Sequence, residues 1–302
     1  MKRFPVNYVI LEGPDLSGKT TLYSALHSAT SYAWNIHDRS YLSMMIHARQ
    51  YGRDVFFHNE NFKRELLNIN NRLVILLPDF EVLQERYEAR GDEIQSLENI
   101  AKLHAEFTSY AERLERLPNV IVVRDTADSI AKKVAAEITS SEEASLDEIS
   151  QMVFDYAAAS TRYEATPLTF TIYDDGKFLE ADSRVMAYEP EKEYYDRILS
   201  TMTQTIRDEL EGKNPYKRVE SIYSRRFIYT DNTCISLIHA SYRDNILDMH
   251  FVLRSSEVAE TFRHDLKFLH YLTSSVFAML GLNNLKDSVR MRFNLNSAHI
   301  LS

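Results

Sequence analysis

The sequence predicts a parallel-sheet α/β domain with helices on both faces, followed by an α+β domain. Three observations carry this. Short apolar runs alternate with amphipathic stretches from Tyr8 to Ile138, the pattern of strands joined by crossover helices. The first run, Val9–Leu11, leads into Gly13-Pro14-Asp15-Leu16-Ser17-Gly18-Lys19-Thr20, a glycine-bounded loop that opens a helical pattern. Beyond residue 147, turn-bounded β-rich runs are interleaved with long helical ones. The expected division is residues 1–140, a polar acidic linker at 141–147, and residues 148–302.

Composition agrees with two globular domains: 302 residues, 44% of them hydrophobic, can bury a large core. A net charge of −9 argues against bulk electrostatic binding to nucleic acid, although a local basic patch stays open. Cys234 is the single cysteine, so no internal disulfide and no cysteine zinc site can form. The longest apolar runs fall far short of the roughly 18 residues that a membrane span needs. Met1–Pro5 leads into the first strand without a signal-peptide pattern, and a cytoplasmic setting is expected.

In the first domain, strands are expected at Tyr8–Leu11, Ala33–His37, Leu73–Leu77 and Val120–Val123. Helices are expected at Lys19–Ser28, Ser40–Tyr51, Phe62–Asn70, Phe80–Ala89, Ile94–Leu117 and Ser129–Ile138. In the second, Ile149–Ala159, Tyr194–Leu210 and Asp265–Leu280 read as helices. Leu168–Tyr173 and Lys177–Leu179 flank the turn Asp174-Asp175-Gly176. Phe227–Tyr229, Cys234–Ser241, Ile246–Leu253, Val289–Asn294 and Ser297–Ile300 read as strands.

The glycine-bounded loop fits G-x-x-x-x-G-K-[ST], the phosphate-loop pattern. Gly13 and Gly18 let main-chain N–H groups turn inward around a phosphate, and the new helix points its positive end at the same anion. Asp15, Ser17 and Thr21 belong to the same cradle, Lys19 reaches the outer phosphates of ATP, and the Thr20 hydroxyl can ligate Mg²⁺. Asp38 follows Lys19 by 19 residues at the end of a strand, where a carboxylate can take the proton of an acceptor hydroxyl. Arg39 beside it can hold phosphate, and Arg86 and Arg90 share a helix face as charge-neutralising groups.

Gly13–Thr21, Asp38-Arg39-Ser40-Tyr41-Leu42-Ser43, Leu73–Asp79 and Arg86–Glu93 together resemble the thymidylate kinase group of P-loop nucleotide kinases over residues 6–138. The resemblance implies ATP-dependent phosphoryl transfer to a nucleotide, with phage kinases of hydroxymethylated pyrimidines as another match. Little lies between the first helix and Asp38, where that family carries a strand and a monophosphate-gripping segment.

In the second domain, Asn214-Pro215-Tyr216-Lys217-Arg218, Cys234, Arg254-Ser255, Asp265 and Ser297-Ala298-His299-Ile300 resemble thymidylate synthases and deoxycytidylate hydroxymethylases over residues 190–302. That resemblance implies a Cys234 thiolate adding to C6 of a pyrimidine. It implies a 5′-phosphate held by Arg218, Arg254 and Ser255, and His299 on the substrate side. Asp265 would accept from the N4 amino group of cytosine. It further implies a sheet-to-sheet homodimer and, for one-carbon transfer, folate. The N-terminal half of that family has no counterpart here. Three readings follow: a pyrimidine deoxynucleotide kinase, a fused synthase and kinase, or a non-catalytic nucleotide- or nucleic-acid-binding assembly protein.

Overall fold

The computed structural model describes residues 2–3, 6–90, 95–125, 130–140, 143–160, 164–174, 191–211, 226–282 and 286–301. It divides into two compact units, Val6–Glu142 and Glu143–Ser302, with Met1–Pro5 joined to the second.

The chain begins with β1 (Lys2–Arg3), which belongs to the second unit. The first unit runs β2 (Val9–Glu12), α1 (Lys19–Ala29), β3 (Ile36–Asp38), α2 (Tyr41–Gln50), α3 (Phe56–Leu66), β4 (Arg72–Leu76), α4 (Phe80–Arg90), α5 (Leu97–Leu114), β5 (Val120–Val123) and α6 (Ile130–Ser140). Its four strands are parallel, in the order β3-β2-β4-β5. Every residue of β2 and β4 is buried, as expected of strands covered on both faces. Val9, Leu11, Val74 and Leu76 of the sheet pack with Leu22 and Leu26 of α1 and Val134 and Ile138 of α6. The unit is an α/β domain, and the C-terminal strand ends converge where β2 passes into α1.

The helix expected at Phe62–Asn70 starts six residues earlier, at Phe56. Asp54, two residues before it, accepts from the Phe56 amide at 3.0 Å in a local turn that leads into the helix.

The second unit continues with β6 (Glu143–Ala144), α7 (Leu146–Ala159), β7 (Glu164–Ala165), β8 (Leu168–Asp174), α8 (Lys192–Leu210), β9 (Arg226–Thr230), β10 (Ile235–Arg243), β11 (Ile246–Leu253), β12 (Ser256–Glu257), α9 (Phe262–Met279), β13 (Ser288–Leu295) and β14 (Ala298–His299). A seven-stranded mixed sheet has the order β6-β1-β8-β13-β11-β10-β9, and β12-β14-β7 form a small second sheet. Burial alternates along β8, β11 and β13, so one face is core. On that face Phe170 stacks on Phe293 and meets Phe262 of α9 edge-on, while Tyr195 of α8 stacks on Phe268. On the other face Asp248 accepts from Arg290 at 2.6 Å and from Arg292 at 2.8 and 3.0 Å.

Two placements differ from the sequence reading. Lys2 and Arg3 pair antiparallel with Ala144 and Glu143, so the amino-terminal residues join the seven-stranded sheet between β6 and β8. The expected linker carries structure: Glu143–Ala144 is a strand, and Ser145 opens α7 through a capping box with Glu148. Asp174 ends β8, which pairs with β13; the rest of the expected hairpin, Asp175 to Leu179, lies outside the described residues.

Candidate active site

The loop after β2 has the shape its glycines dictate. Gly13 sits at φ +140°, and a Cβ there would lie 2.3 Å from the Leu76 carbonyl oxygen. No side chain fits, because β4 passes too close. Gly18, at φ +101°, forms the N-cap of α1, a left-handed conformation that side chains resist. Lys19 is buried and donates from Nζ to the carbonyls of Gly13 at 2.7 Å and Pro14 at 2.6 Å, with Ser17 Oγ at 3.4 Å. Burial, aided by the Arg39 charge, lowers its pKa to about 8, so it keeps its proton at neutral pH.

Asp38 and Arg39 follow directly from the pairing of β3 with β2, Leu11 lying opposite Asp38. Arg39 has φ +71°, and its guanidinium forms an ion pair with Asp15. Glu12, at the end of β2, holds this corner. Its buried carboxylate accepts from the amide and hydroxyl of Ser40, each at 2.8 Å, from the Ser43 amide at 3.2 Å and from the Ser43 hydroxyl. Burial raises its pKa, against the opposing effect of those donors. Glu12 thus fixes the start of α2 and with it the turn that carries Asp38 and Arg39. Sequence reasoning gave Glu12 no role; the available signal was an acid ending an otherwise apolar buried strand.

From α4, Arg86 reaches back over the loop and donates to the Leu16 carbonyl at 2.7 Å. One cavity of about 660 Å³ is lined by Asp15, Ser17, Gly18, Lys19, Thr20, Thr21, Asp38, Arg39, Arg86 and Arg90, and also by Ala25, Asp125, Ile130 and Ala131. The structure therefore brings together all the first-domain site residues except Gly13, which shapes the loop from beneath. Asp92, in the stretch next to Arg90, lies outside the described residues.

With four basic side chains and three aspartates beside apolar ones, the lining suits a polyphosphate that carries an apolar group. Among the described residues no group of three or more His, Cys, Asp or Glu side chains forms a metal cage. A Mg²⁺ held by Thr20 and one carboxylate, and completed by phosphate oxygens and water, needs no such cage.

The second unit holds Cys234, Arg254, Ser255, Asp265 and His299, while Arg218 lies outside the described residues. Cys234 is exposed just before β10, and its carbonyl accepts from the Arg254 amide at 2.8 Å. Partial desolvation and the charges of Asp265 and Glu191 raise its pKa, so the resting sulfur is a thiol. Asp265, buried in the first turn of α9, accepts from the Tyr195 hydroxyl at 2.9 Å, and burial raises its pKa to about 7. The neighbouring Tyr194 oxygen accepts from Thr233 at 3.0 Å and from the Ile235 amide at 2.8 Å, bracing the segment around the cysteine. His299 lies on β14, with Nδ1 3.3 Å from the Ser297 hydroxyl, which donates to Glu164. Ser255 is half-buried and Arg254 exposed. Tyr194 and Tyr195 carried no assignment in the sequence reading.

Fold and loop together define the first unit as an α/β domain built around a phosphate-loop sequence. No protein-family model matches the chain. No curated protein matches it either. Among solved structures it is similar to the YorR protein of Bacillus subtilis, crystallised with phosphorylated GDP; the two are 18% identical with a TM-score of 0.37, over 45% of this chain and 99% of that one. Among the described residues no helix is long and apolar enough to cross a membrane.

Proposed function

We propose that the protein transfers a phosphoryl group from ATP to a nucleotide hydroxyl or phosphate, a pyrimidine deoxynucleotide being the acceptor. One observation carries this reading: Lys19, Thr20, Asp38, Arg39, Arg86 and Arg90 line a single cavity at the carboxyl edge of a parallel sheet. Lys19 leaves the Gly13 and Pro14 carbonyls to meet the outer phosphates. Asp38 orients the acceptor, and takes its proton where the acceptor is a hydroxyl, as the acceptor oxygen bonds the γ-phosphorus and the bond to the β-phosphate oxygen breaks. Arg39, Arg86 and Arg90 balance the charge that spreads over the transferring group. Mg²⁺, held at Thr20, would neutralise the β- and γ-oxygens. The choice of a pyrimidine rests on the resemblance of the Asp38–Ser43 segment to thymidylate kinases.

For the second unit we propose nucleotide binding and homodimerisation, the dimer forming through the sheet face that carries Asp248, Arg290 and Arg292. One-carbon transfer at Cys234, which would also require folate, is the alternative for this unit. Nucleic-acid binding is the further alternative for the assembled protein.

The test is ADP formation with a panel of nucleoside monophosphates. Lys19→Ala should lower turnover by about 10²–10³-fold or more, the loss typical of removing one charge-stabilising donor. Unchanged turnover would refute the assignment.

A further inference from the structure

A second concavity, of about 510 Å³, lies on the outer side of β3 and is lined by Thr20, Tyr23, Asn35, Ile36, His37, Asp38 and Arg39. It shares Thr20, Asp38 and Arg39 with the polyphosphate cavity. Among the described residues β3 pairs with β2 alone, so its other edge is open. Both walls are braced aromatic pairs. On α1, Tyr23 meets His27 edge-on at 4.5 Å, and His27 stacks on Tyr32. On β3, His37 meets Tyr8 edge-on at 4.9 Å. Asn35 and His37 are exposed at the rim.

We propose that this groove seats the phosphoryl acceptor, and that it takes a molecule carrying a nucleobase. The inference rests on the phosphotransfer reading and adds the acceptor's path. Transfer requires donor and acceptor to meet in line at the group that removes the proton, and Asp38 is a wall of both concavities. An aromatic or imidazole face stacks on any base. The Asn35 amide offers one donor and one acceptor to the base edge. Arg39, at the junction, meets the acceptor's phosphate. The groove's volume falls within the range of about 300–1,000 Å³ usual for small-molecule sites. Its open outer edge also admits a base within a strand.

Trp34, the only tryptophan, directly precedes Asn35 and reports on occupancy. The full chain, with a non-hydrolysable ATP analogue bound, is titrated with deoxynucleoside monophosphates and, separately, with a short single-stranded oligodeoxynucleotide. At least one class should perturb Trp34 fluorescence at saturation. His37→Ala and Tyr23→Leu should each weaken that ligand about tenfold, in line with the loss of one stacking partner. In turnover assays the acceptor KM should rise while the ATP KM does not. The monophosphate or the strand, whichever binds, identifies the source of the base. Unaltered acceptor affinity in both variants overturns the groove, as does ATP binding that depends on Lys19 with neither ligand class bound. Failure of ATP to bind at all overturns the phosphotransfer reading, and the Trp34 titration without nucleotide then judges the groove by itself.

Discussion

Both units bury ionisable side chains, but they partner them differently. In the first, Lys19 faces three oxygen acceptors and Glu12 faces four donors from Ser40 and Ser43. In the second, Asp265 faces the Tyr195 hydroxyl, and its pKa rises to about 7. Lys19 titrates at about 8, so at neutral pH the first unit holds a fixed positive charge, ready to exchange carbonyl partners for a phosphate. Near the same pH Asp265 is close to half protonated. The first unit's buried ionisable groups meet several hydrogen-bond partners, whereas Asp265 in the second meets the Tyr195 hydroxyl.

The comparison breaks most visibly at glycine. Gly13 and Gly281 both have positive φ, yet a Cβ at Gly13 meets the Leu76 carbonyl at 2.3 Å whereas one at Gly281 meets nothing within 4 Å. Gly13→Ala must move the loop or β4. We expect it to destabilise the first unit by about 2–4 kcal/mol and to abolish binding of a fluorescent ATP analogue. Gly281→Ala carries backbone strain alone, about 1 kcal/mol, with nucleotide binding intact. Urea denaturation and nucleotide titration of the two variants measure this; equal costs would mean that the approach of β4 does not shape the loop.

A smaller effect separates the buried charges by pH. Asp265 has a folded pKa of about 7 against an ordinary value of 3.8. The folded state therefore holds a proton that the unfolded chain releases, and stability falls as pH rises from about 4 to 7. Above that window the penalty is complete. Asp265→Asn keeps an acceptor for Tyr195 and removes the penalty, so the variant should gain on the order of 1–4 kcal/mol at pH 8 and nothing near pH 3. Because Asp265 also raises the Cys234 pKa, thiol labelling at pH 8 should quicken in the same variant. Melting curves across pH and labelling rates check both halves; a variant no more stable than wild type at pH 8 would place the carboxylate in a better-solvated setting than its 4% exposure indicates.

Much of the first unit was legible because its signals are local. The strand, glycine loop and helix from Val9 to Ala29 are contiguous, and β5 lies where its apolar run placed it, at Val120–Val123. Asp38 reaches the cavity from the end of β3, while Arg86 and Arg90 reach it from α4. Glu12 was missed because its partners, Ser40 and Ser43, are 28 and 31 residues away, and no periodicity signals a buried carboxylate. In the second unit β11 has the bounds expected from its sequence, Ile246–Leu253. The resemblance grouped Arg254 and Asp265 with Cys234, but Glu191 and Tyr194, which reach the same segment from α8 and the residue before it, carried no signal. The pairing of Lys2 with Ala144 was equally hidden: two residues carry no strand pattern.

The finest distinction concerns where one unit ends and the other begins. Ser145 was read as part of a polar linker, yet its hydroxyl accepts from the Glu148 amide at 3.2 Å while Glu148 accepts from the Ser145 amide at 2.7 Å. A linker residue contributes nothing to stability when truncated; a cap residue contributes about 1 kcal/mol. α7 also buries Ile149, Val153 and Tyr156, so loss of its cap is felt by the second unit's core rather than at a frayed end. Ser145→Ala should therefore lower the denaturation midpoint of the second unit by the equivalent of about 0.5–2 kcal/mol, and Ser145→Asp should restore it. Lys19-dependent ATP binding should hold its affinity in both variants, because Ser145 lies in the other compact unit. If Ser145→Ala unfolds like wild type, the capping box does not anchor α7 and the segment from Glu143 onward behaves as the connector its composition implied.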